Sequence, residues 1–306
     1  MKNMDKTVRI GTRESKLAVI QAELVANAIQ KSHPETEIKI VTMKTTGDTI
    51  LDTTIDTIGG KGVFIKELVL ALGSGIVDIC VHSYKDMPAE DDPDFPVVAL
   101  SAREDPRDVL ILPQKPETSH PSPEKPIGCS SKRRQCQLLR LYPHNAVEPI
   151  RGNVLTRLEK LDRGEFSALV LAAAGIKRLG LWERVSRIFA VNEIIPACCQ
   201  GILAVQGRKG EDHRYLAEYN DTDSWDAAIA ERAFTTKMNL GCGAPAGVFA
   251  EITGGDTLFV RAMIADSNNN IYYDQITGNR RDAVSLGIAV AETICEKMAK
   301  GGMLHE

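Results

Sequence analysis

The sequence predicts two α/β domains followed by a smaller α+β domain. Short apolar runs alternate with amphipathic helical stretches through the first hundred residues, and again from Ile127 to Val191. Near the C-terminus the pattern changes to three strand-like segments followed by one long helical stretch. Alternating strands and helices build parallel or mixed sheets with crossover helices, whereas grouped strands form an antiparallel sheet that helices cover. A chain of 306 residues is long enough for two or three such domains, each with its own core.

The elements follow in order. Val8–Gly11 reads as a buried strand, and Ser15 as the N-cap of a helix whose apolar face is Leu17, Ile20, Leu24, Ala28 and Ile29. Glu37–Met43 alternates as a strand, Phe64–Leu72 reads as a helix stopped by Gly73, and Ile76–Val81 as a second buried strand. Between them, Thr45–Gly62 is rich in Thr, Gly and Asp, the composition of a lid over a site. SAREDPRD (Ser101–Asp108) reads as a domain junction before the strand Val109–Leu112, and the proline-rich stretch Pro113–Pro126 as an exposed connection. Strands are expected near Ile127–Ser130, Ala146–Ile150 and Ala168–Ala172, and Ile202–Val205 as a strand returning to the first sheet. The last block has a helix from Ser224 through Phe234, strands at Val248–Thr253, Leu258–Ile264 and Ile271–Ile276, and a helix from Asp282 to Lys300.

Composition narrows the function. A 43% hydrophobic and 25% charged chain is an ordinary globular protein, and a net charge of -4 with 5% aromatic residues argues against nucleic-acid binding. No run approaches a membrane span, and the N-terminal stretch carries no apolar signal region, so a cytoplasmic home is expected. The seven cysteines are then reduced thiols. No Cys or His pair has metal-site spacing, and the adjacent Cys198–Cys199 suits neither a zinc knuckle nor an easy disulfide, so no metal is expected.

Three times an apolar strand runs into a Ser/Arg/Lys turn that opens a helix. The first carries Arg13 and Ser15. The second carries Ser130, Ser131, Lys132, Arg133 and Arg134, and the third Arg151, Asn153 and Arg157. A helix N-terminus already presents N–H donors and the positive end of its dipole, so cations there are misplaced unless an anion compensates them. Any one turn reads equally well as solvated surface charge; the repetition points to carboxylate or phosphate binding. In VHSYKDMP, at the C-terminal edge of a strand, Asp86 suits stabilisation of a cation and proton movement while Lys85 binds an anion; an ordinary loop ion pair is the plain alternative. GGKGVF lacks the Ser or Thr of a phosphate loop, leaving Lys61 to reach an anion in the cleft. Cys242, between two glycines in MNLGCGAPAG, is an accessible thiol, either inert or a nucleophile and attachment point.

Nine stretches, in order, resemble the hydroxymethylbilane synthase (porphobilinogen deaminase) family: IGTRES.LA, TTGD, GGKGVFIKEL, VHSYKDMP, SSKRRQCQL, IRGNVLTRLEKLD, LAAAGIKRLGL, PACCQG and GCGAPAG, spanning Ile10 to Gly247. The resemblance implies two domains like type II periplasmic binding proteins with mixed sheets, plus the smaller α+β domain. The expected division is 1–101 with 197–217, then 102–196, then 218–306. It implies a monomeric transferase of porphyrin (haem) biosynthesis. Such an enzyme condenses four porphobilinogen molecules head to tail with release of ammonia, and its hydroxymethylbilane passes on towards uroporphyrinogen-III synthase.

The resemblance also assigns residues. Cys242 matches the thioether attachment site of a dipyrromethane cofactor, and Asp86 the catalytic aspartate. Asp86, Lys85, Ser130, Arg133 and Arg134 are expected at the cofactor. Arg13, Ser15, Lys61, Phe64, Arg151, Arg157, Arg178 and Gln200 are expected at the substrate. Every pyrrole brings an acetate and a propionate, which gives the basic turns their ligand. Two departures stand out: Cys199 occupies a position where the family has Gly, and the residues after Cys242, Gly243 and Ala244, are small. The alternative reading, a non-enzymatic clamshell protein binding a polycarboxylate, leaves Cys242 without a role.

Overall fold

The computed structural model describes residues 7–45, 65–115, 118–241 and 243–301. Its strands are β1 Val8–Arg13, β2 Ile38–Met43, β3 Ile79–Ser83, β4 Val97–Leu100, β5 Asp108–Ile111, β6 Ile127–Gly128, β7 Val147–Glu148, β8 Ala168–Ala172, β9 Arg187–Ile188, β10 Leu203–Gly207, β11 Ala246–Gly254, β12 Thr257–Ala265 and β13 Ile271–Asn279. The α-helices are α1 Lys16–Ser32, α2 Lys66–Gly73, α3 Lys132–Leu141, α4 Val154–Asp162, α5 Ala173–Arg178, α6 Thr222–Lys237 and α7 Ala283–Gly301. The chain forms two compact units, residues 1–104 with 201–224, and residues 105–200 with 225–306.

The first unit holds a five-stranded sheet in the order β2-β1-β3-β10-β4. β1 runs parallel to β2 and β3, while β10 runs antiparallel to β3 and β4, so the expected returning strand does close this sheet. Val8 and Ile10 pack against Ala22, Val25 and Ile29 of α1, and on the other side Leu68 and Leu72 of α2 pack against Val77 and Cys80. Helices on both faces bury strands, which is why β3 opens on an unbroken apolar run, Ile79–Val81, before His82 and Ser83 at its C-terminal end.

Two expectations need correction here. The buried face of α1 is Ala18, Gln21, Ala22, Val25, Ala26 and Ile29, whereas Leu24 is exposed. Small residues let the helix approach the sheet, and that outweighs the larger but less closely packing Leu17–Leu24 stripe. Strand β4, in the stretch after the Asp- and Pro-rich residues 91–96, was not foreseen.

The second unit has a five-stranded sheet, β7-β6-β8-β5-β9, and a three-stranded antiparallel sheet, β11-β12-β13. In β5, Val109 and Ile111 face Leu158, Leu161 and Ile176, whereas Leu110 faces Leu138 and Phe189, the two-residue period of a strand buried on both sides. β12 sends Leu258, Val260, Ala262 and Ile264 into a core with Phe234 of α6 and Leu286, Val290 and Ile294 of α7. A smaller cluster, Cys136, Ile195, Met263 and Ala265, joins the two sheets' surroundings. Gly247 belongs to this seam: a Cβ there would lie 2.7 Å from the Ile195 carbonyl oxygen, and the next residue, Val248, donates its N–H to Pro196 O at 3.0 Å. Among the described residues no helix is long and apolar enough to cross a membrane.

Candidate active site

In the first unit the parallel register, Gly11 opposite Cys80, places the turns after β1 and β3 at one sheet edge. Ser15 caps α1, its hydroxyl accepting the Ala18 N–H at 3.3 Å, and Arg13 is the last residue of β1. After β3 the chain makes a single 3₁₀ turn, Tyr84–Asp86. Tyr84 is buried and donates its N–H to Ile202 O at 3.0 Å, while Ser83 exchanges hydrogen bonds with Gln21 on α1. Those anchors fix the turn so that Asp86 is exposed, with no ion pair among the described residues, and Lys85 half-buried beside it. A carboxylate held at the C-terminal edge of a parallel strand pair is available to a ligand rather than spent on the fold.

Below this edge lies His82, 6% exposed. Burial pushes its imidazole down to about 4; Gln206 pulls the other way and the charge of Arg13 adds to the lowering. His82 is therefore neutral at physiological pH and adds no positive charge beside Arg13.

In the second unit β6 is parallel to both β7 and β8, and β5 is antiparallel to β8 with Asp108 opposite Ala172. The turns after β6, β7 and β8 and the start of β5 consequently share one edge. Helix α3 opens there on Ser131, with Lys132, Arg133 and Arg134 and no acid in its first turn. Asn153 caps α4 by accepting the Thr156 N–H at 3.1 Å. Arg157 turns its Nε to Gly152 O at 2.8 Å, and Arg151 is half-buried at the turn itself.

Asp108 organises this edge. It is fully buried, with Oδ2 2.8 Å from Arg133 Nη1 and Oδ1 2.7 Å from Arg134 Nη2. Gln200 Nε2 donates to the same Oδ1 at 2.9 Å and to Pro106 O at 2.7 Å. Burial alone would raise the Asp108 carboxyl; Arg133 and Arg134 outweigh it and hold it well below the usual carboxylate range. Beside it Asp105 takes two bonds from Arg107 at 2.8 Å and a contact from Lys177 at 3.3 Å, which bring it down to about 2 against its partial burial.

The family model described as porphobilinogen deaminase, dipyromethane cofactor binding domain, matches residues 8–216, and that of the porphobilinogen deaminase C-terminal domain matches residues 225–296. The porphobilinogen deaminase of Alkaliphilus oremlandii is 55% identical over 93% of this chain and 95% of its own length. That of Acetivibrio thermocellus is 54% identical over 93% and 96%, and that of Thiobacillus denitrificans 40% identical over 96% and 97%. The chain belongs to the porphobilinogen deaminase family. Among solved structures it is also similar to the periplasmic aliphatic sulphonate binding protein SsuA from Escherichia coli, at 13% identity and a TM-score of 0.38, over 76% of this chain and 70% of that one.

On this chain the sequence-derived residues sort by unit. Arg13, Ser15, Lys85 and Asp86 gather at the edge of the first sheet; Ser130, Arg133, Arg134, Arg151, Arg157 and Gln200 gather at the edge of the second. Arg178 ends α5, a helix that starts at that edge and carries it about 8 Å away. Lys61, Phe64 and Cys242 lie outside the described residues, as does the expected lid beyond Thr45.

Four of these residues, Ser130, Arg133, Arg134 and Gln200, have partners within the fold. Ser130 Oγ donates to Ile150 O at 2.5 Å and accepts the Ile150 N–H at 2.9 Å, tying the second and third basic turns together. Its neighbour Ser131 holds the N-cap position with no capping bond from its hydroxyl. Gln200, 1% exposed, and Arg133, 3% exposed, belong to the buried Asp108 network. Asp108 itself does not stand out in the sequence, because SAREDPRD offers five acids and arginines within six residues with no mark of which one the strand carries inside. The usable signal was an acid immediately before an apolar run, where a strand start buries whatever precedes it.

Proposed function

We propose that this chain joins four porphobilinogen molecules head to tail, releasing ammonia at each step, to give hydroxymethylbilane on a dipyrromethane cofactor attached to Cys242. Identity of 40–55% with porphobilinogen deaminases over nearly the whole chain carries this reading. The donor set also suits an acid-decorated cofactor: hydroxyls and guanidiniums at the start of α3, with no acid in its first turn to repel carboxylates. Lys85, Ser130, Arg133 and Arg134 would hold it, Asp108 fixing both guanidinium planes. When bound, the dipyrromethane supplies the pyrrole carbon onto which the chain grows.

Asp86 does the charge work. Loss of ammonia from porphobilinogen leaves an electron-poor azafulvene, and a carboxylate near its pyrrole nitrogen stabilises that positive charge and accepts or returns a proton. Exposure of Asp86 at a fixed turn keeps its charge for the substrate. Arg13, Ser15, Lys61, Arg151, Arg157 and Arg178 take the acetate and propionate groups, which multiply as the product lengthens, and Phe64 and Gln200 complete the substrate set. A protein that only binds a polycarboxylate would need the basic turns but not Asp86.

The finer organisation belongs to the same proposal. The domains are 1–101 with 197–217, 102–196 and 218–306. The protein works in the cytoplasm as a monomer, without nucleic acid or membrane, and hands hydroxymethylbilane to uroporphyrinogen-III synthase.

Intact-mass measurement combined with turnover tests the reading. Purified protein should exceed the polypeptide mass by one dipyrromethane and release four ammonia molecules per hydroxymethylbilane. Full turnover at the bare polypeptide mass would overturn attachment at Cys242; porphobilinogen left unconsumed by the loaded protein would overturn the activity.

A further inference from the structure

Adjacent cysteines are a poor metal pair in an extended chain, because successive side chains point to opposite sides. Cys198 and Cys199 are not extended. Cys199 has φ +58°, in the left-handed region that non-glycine residues seldom adopt, and the two Sγ atoms lie 3.6 Å apart. A third donor completes the group. Glu231, on α6 and fully buried, sets a carboxylate oxygen so that all three ligand atoms fall within 4.8 Å of one another.

The carboxylate is held firmly. Glu231 Oε2 accepts the Cys199 N–H at 2.5 Å and Oε1 accepts the Ala250 N–H at 2.7 Å, so the cysteine turn, α6 and β11 all fix it. Each carboxylate oxygen has two lone-pair directions, so accepting an N–H is compatible with ligating a cation. Cys199 is 1% exposed and Cys198 half-buried, which leaves the cluster an approach over the Cys198 sulfur.

Distances decide between the two chemistries open to paired thiols. A disulfide needs its sulfurs at about 2.05 Å and its Cα atoms at about 4.4–6.8 Å, whereas neighbouring residues hold Cα atoms at about 3.8 Å. Two thiolates about 2.3 Å from one tetrahedral ion lie about 3.8 Å apart, close to the separation seen here. A buried carboxylate beside two thiols has no part in a disulfide, but it is an ordinary third ligand for zinc.

We propose that Cys198, Cys199 and Glu231 form a site for one thiophilic divalent cation of the zinc class, with water as the fourth ligand. Binding forms two metal–sulfur bonds and one metal–oxygen bond, and the two thiol protons pass to solvent, so affinity rises with pH. The bound ion ties the residues just before Gly201 to α6 within the second unit, and nothing in the condensation chemistry uses it.

Cadmium is the probe, added to the full-length protein with its cofactor attached, so that the Cys242 sulfur is already blocked. One equivalent per chain should bind, with an ultraviolet thiolate-to-cadmium band of two-thiolate intensity and a raised thermal midpoint. Cys198→Ser and Cys199→Gly should each weaken binding at least about 100-fold, more than loss of an outer-shell partner costs. Cys295→Ser, which removes an exposed cysteine outside the cluster, should leave it unchanged. Undiminished cadmium binding in Cys198→Ser overturns the proposal. So does a reduced wild-type protein that takes up no cadmium, or one whose pair returns in air to a dithiothreitol-reversible disulfide while cadmium is present.

Discussion

Asp108 and Arg133 form a wholly buried ion pair, Oδ2 to Nη1 at 2.8 Å, and Arg134 closes on the other oxygen at 2.7 Å. A cation pair at a helix start ordinarily repels itself and the helix dipole; one internal carboxylate between them removes both penalties. The two arginines are thereby set at the edge of the second sheet before any ligand arrives.

Asp108→Asn should therefore cost about 3–5 kcal/mol of stability, because it removes the buried charge that the Arg133 and Arg134 guanidiniums share. Urea denaturation measures this directly. A midpoint equal to that of the parent would mean that water reaches the arginines and the pair is not buried in solution.

His82 gives the stability a distinct pH dependence. Its imidazole is held near 4 in the folded chain against 6.5 when exposed, so the unfolded state binds the proton more readily across that window. Stability is complete above pH 6.5 and falls as pH drops towards 4, by about 3 kcal/mol over the window. The arginine-paired carboxylates Asp105 and Asp108 lose their contribution only at lower pH, below the ordinary carboxylate value of 3.8. Denaturation midpoints between pH 7 and pH 4 should slope in the parent and flatten in His82→Gln. An equal slope in both would assign the effect elsewhere.

Asp86→Asn separates chemistry from folding. The residue is exposed on its 3₁₀ turn, so stability should stay within about 0.5 kcal/mol of the parent. Turnover of porphobilinogen should fall by about 10²–10⁴-fold, the range for loss of a positioned proton-transfer or charge-stabilising group. Near-normal turnover in the cofactor-loaded variant would place the stabilising charge on another residue.

Much of this was legible in the residues, and the gaps have physical causes. Strand–helix alternation exposes the two mixed sheets because helices on both faces force continuous apolar runs such as Ile79–Val81. The returning strand could be read from Ile202–Val205 for the same reason. What periodicity misjudges is the helix face that packs: α1 uses alanines where hydrophobicity points to Leu24, since closeness of approach leaves no trace in residue polarity. β9, two residues long at Arg187–Ile188, is held by pairing to β5 rather than by any pattern of its own. At the site, residue type identifies cations but not their partners. Ser130 and Gln200 carry suitable donors, and nothing in residue type shows that the fold also bonds them to Ile150 and Asp108.

Arg151 tests the third basic turn. It is half-buried beside the Asn153 cap and its removal leaves that cap intact, so Arg151→Leu should fold. A lost charged hydrogen bond to a carboxylate is worth about 1.5–3 kcal/mol, roughly a 10- to 100-fold slowing of the steps that use it. Mass spectra of the enzyme during turnover should then accumulate particular short chains. A uniform loss of folded protein with unchanged turnover would make the residue structural.

Cys199 occupies a position whose backbone suits glycine, with φ +58°, two residues before Gly201 at φ +95°. Gly201 is fixed more tightly, since a Cβ there would fall 2.2 Å from Glu104 O. Cys199 makes the hydrogen bond from its N–H to Glu231 that glycine would also make. A left-handed residue with a side chain costs about 1–2 kcal/mol, and glycine removes that cost while losing about 0.5–1 kcal/mol through a freer unfolded chain and the burial of one thiol. Cys199→Gly should consequently lie within about 1 kcal/mol of the parent. Cys199→Val, β-branched and buried, keeps the backbone penalty and adds a branch where the side chain is 1% exposed, so it should lie about 2 kcal/mol or more below the glycine variant. Thermal midpoints of the two variants under reducing conditions, without added metal, decide it: equal values would mean that residue 199 leaves the left-handed region in solution.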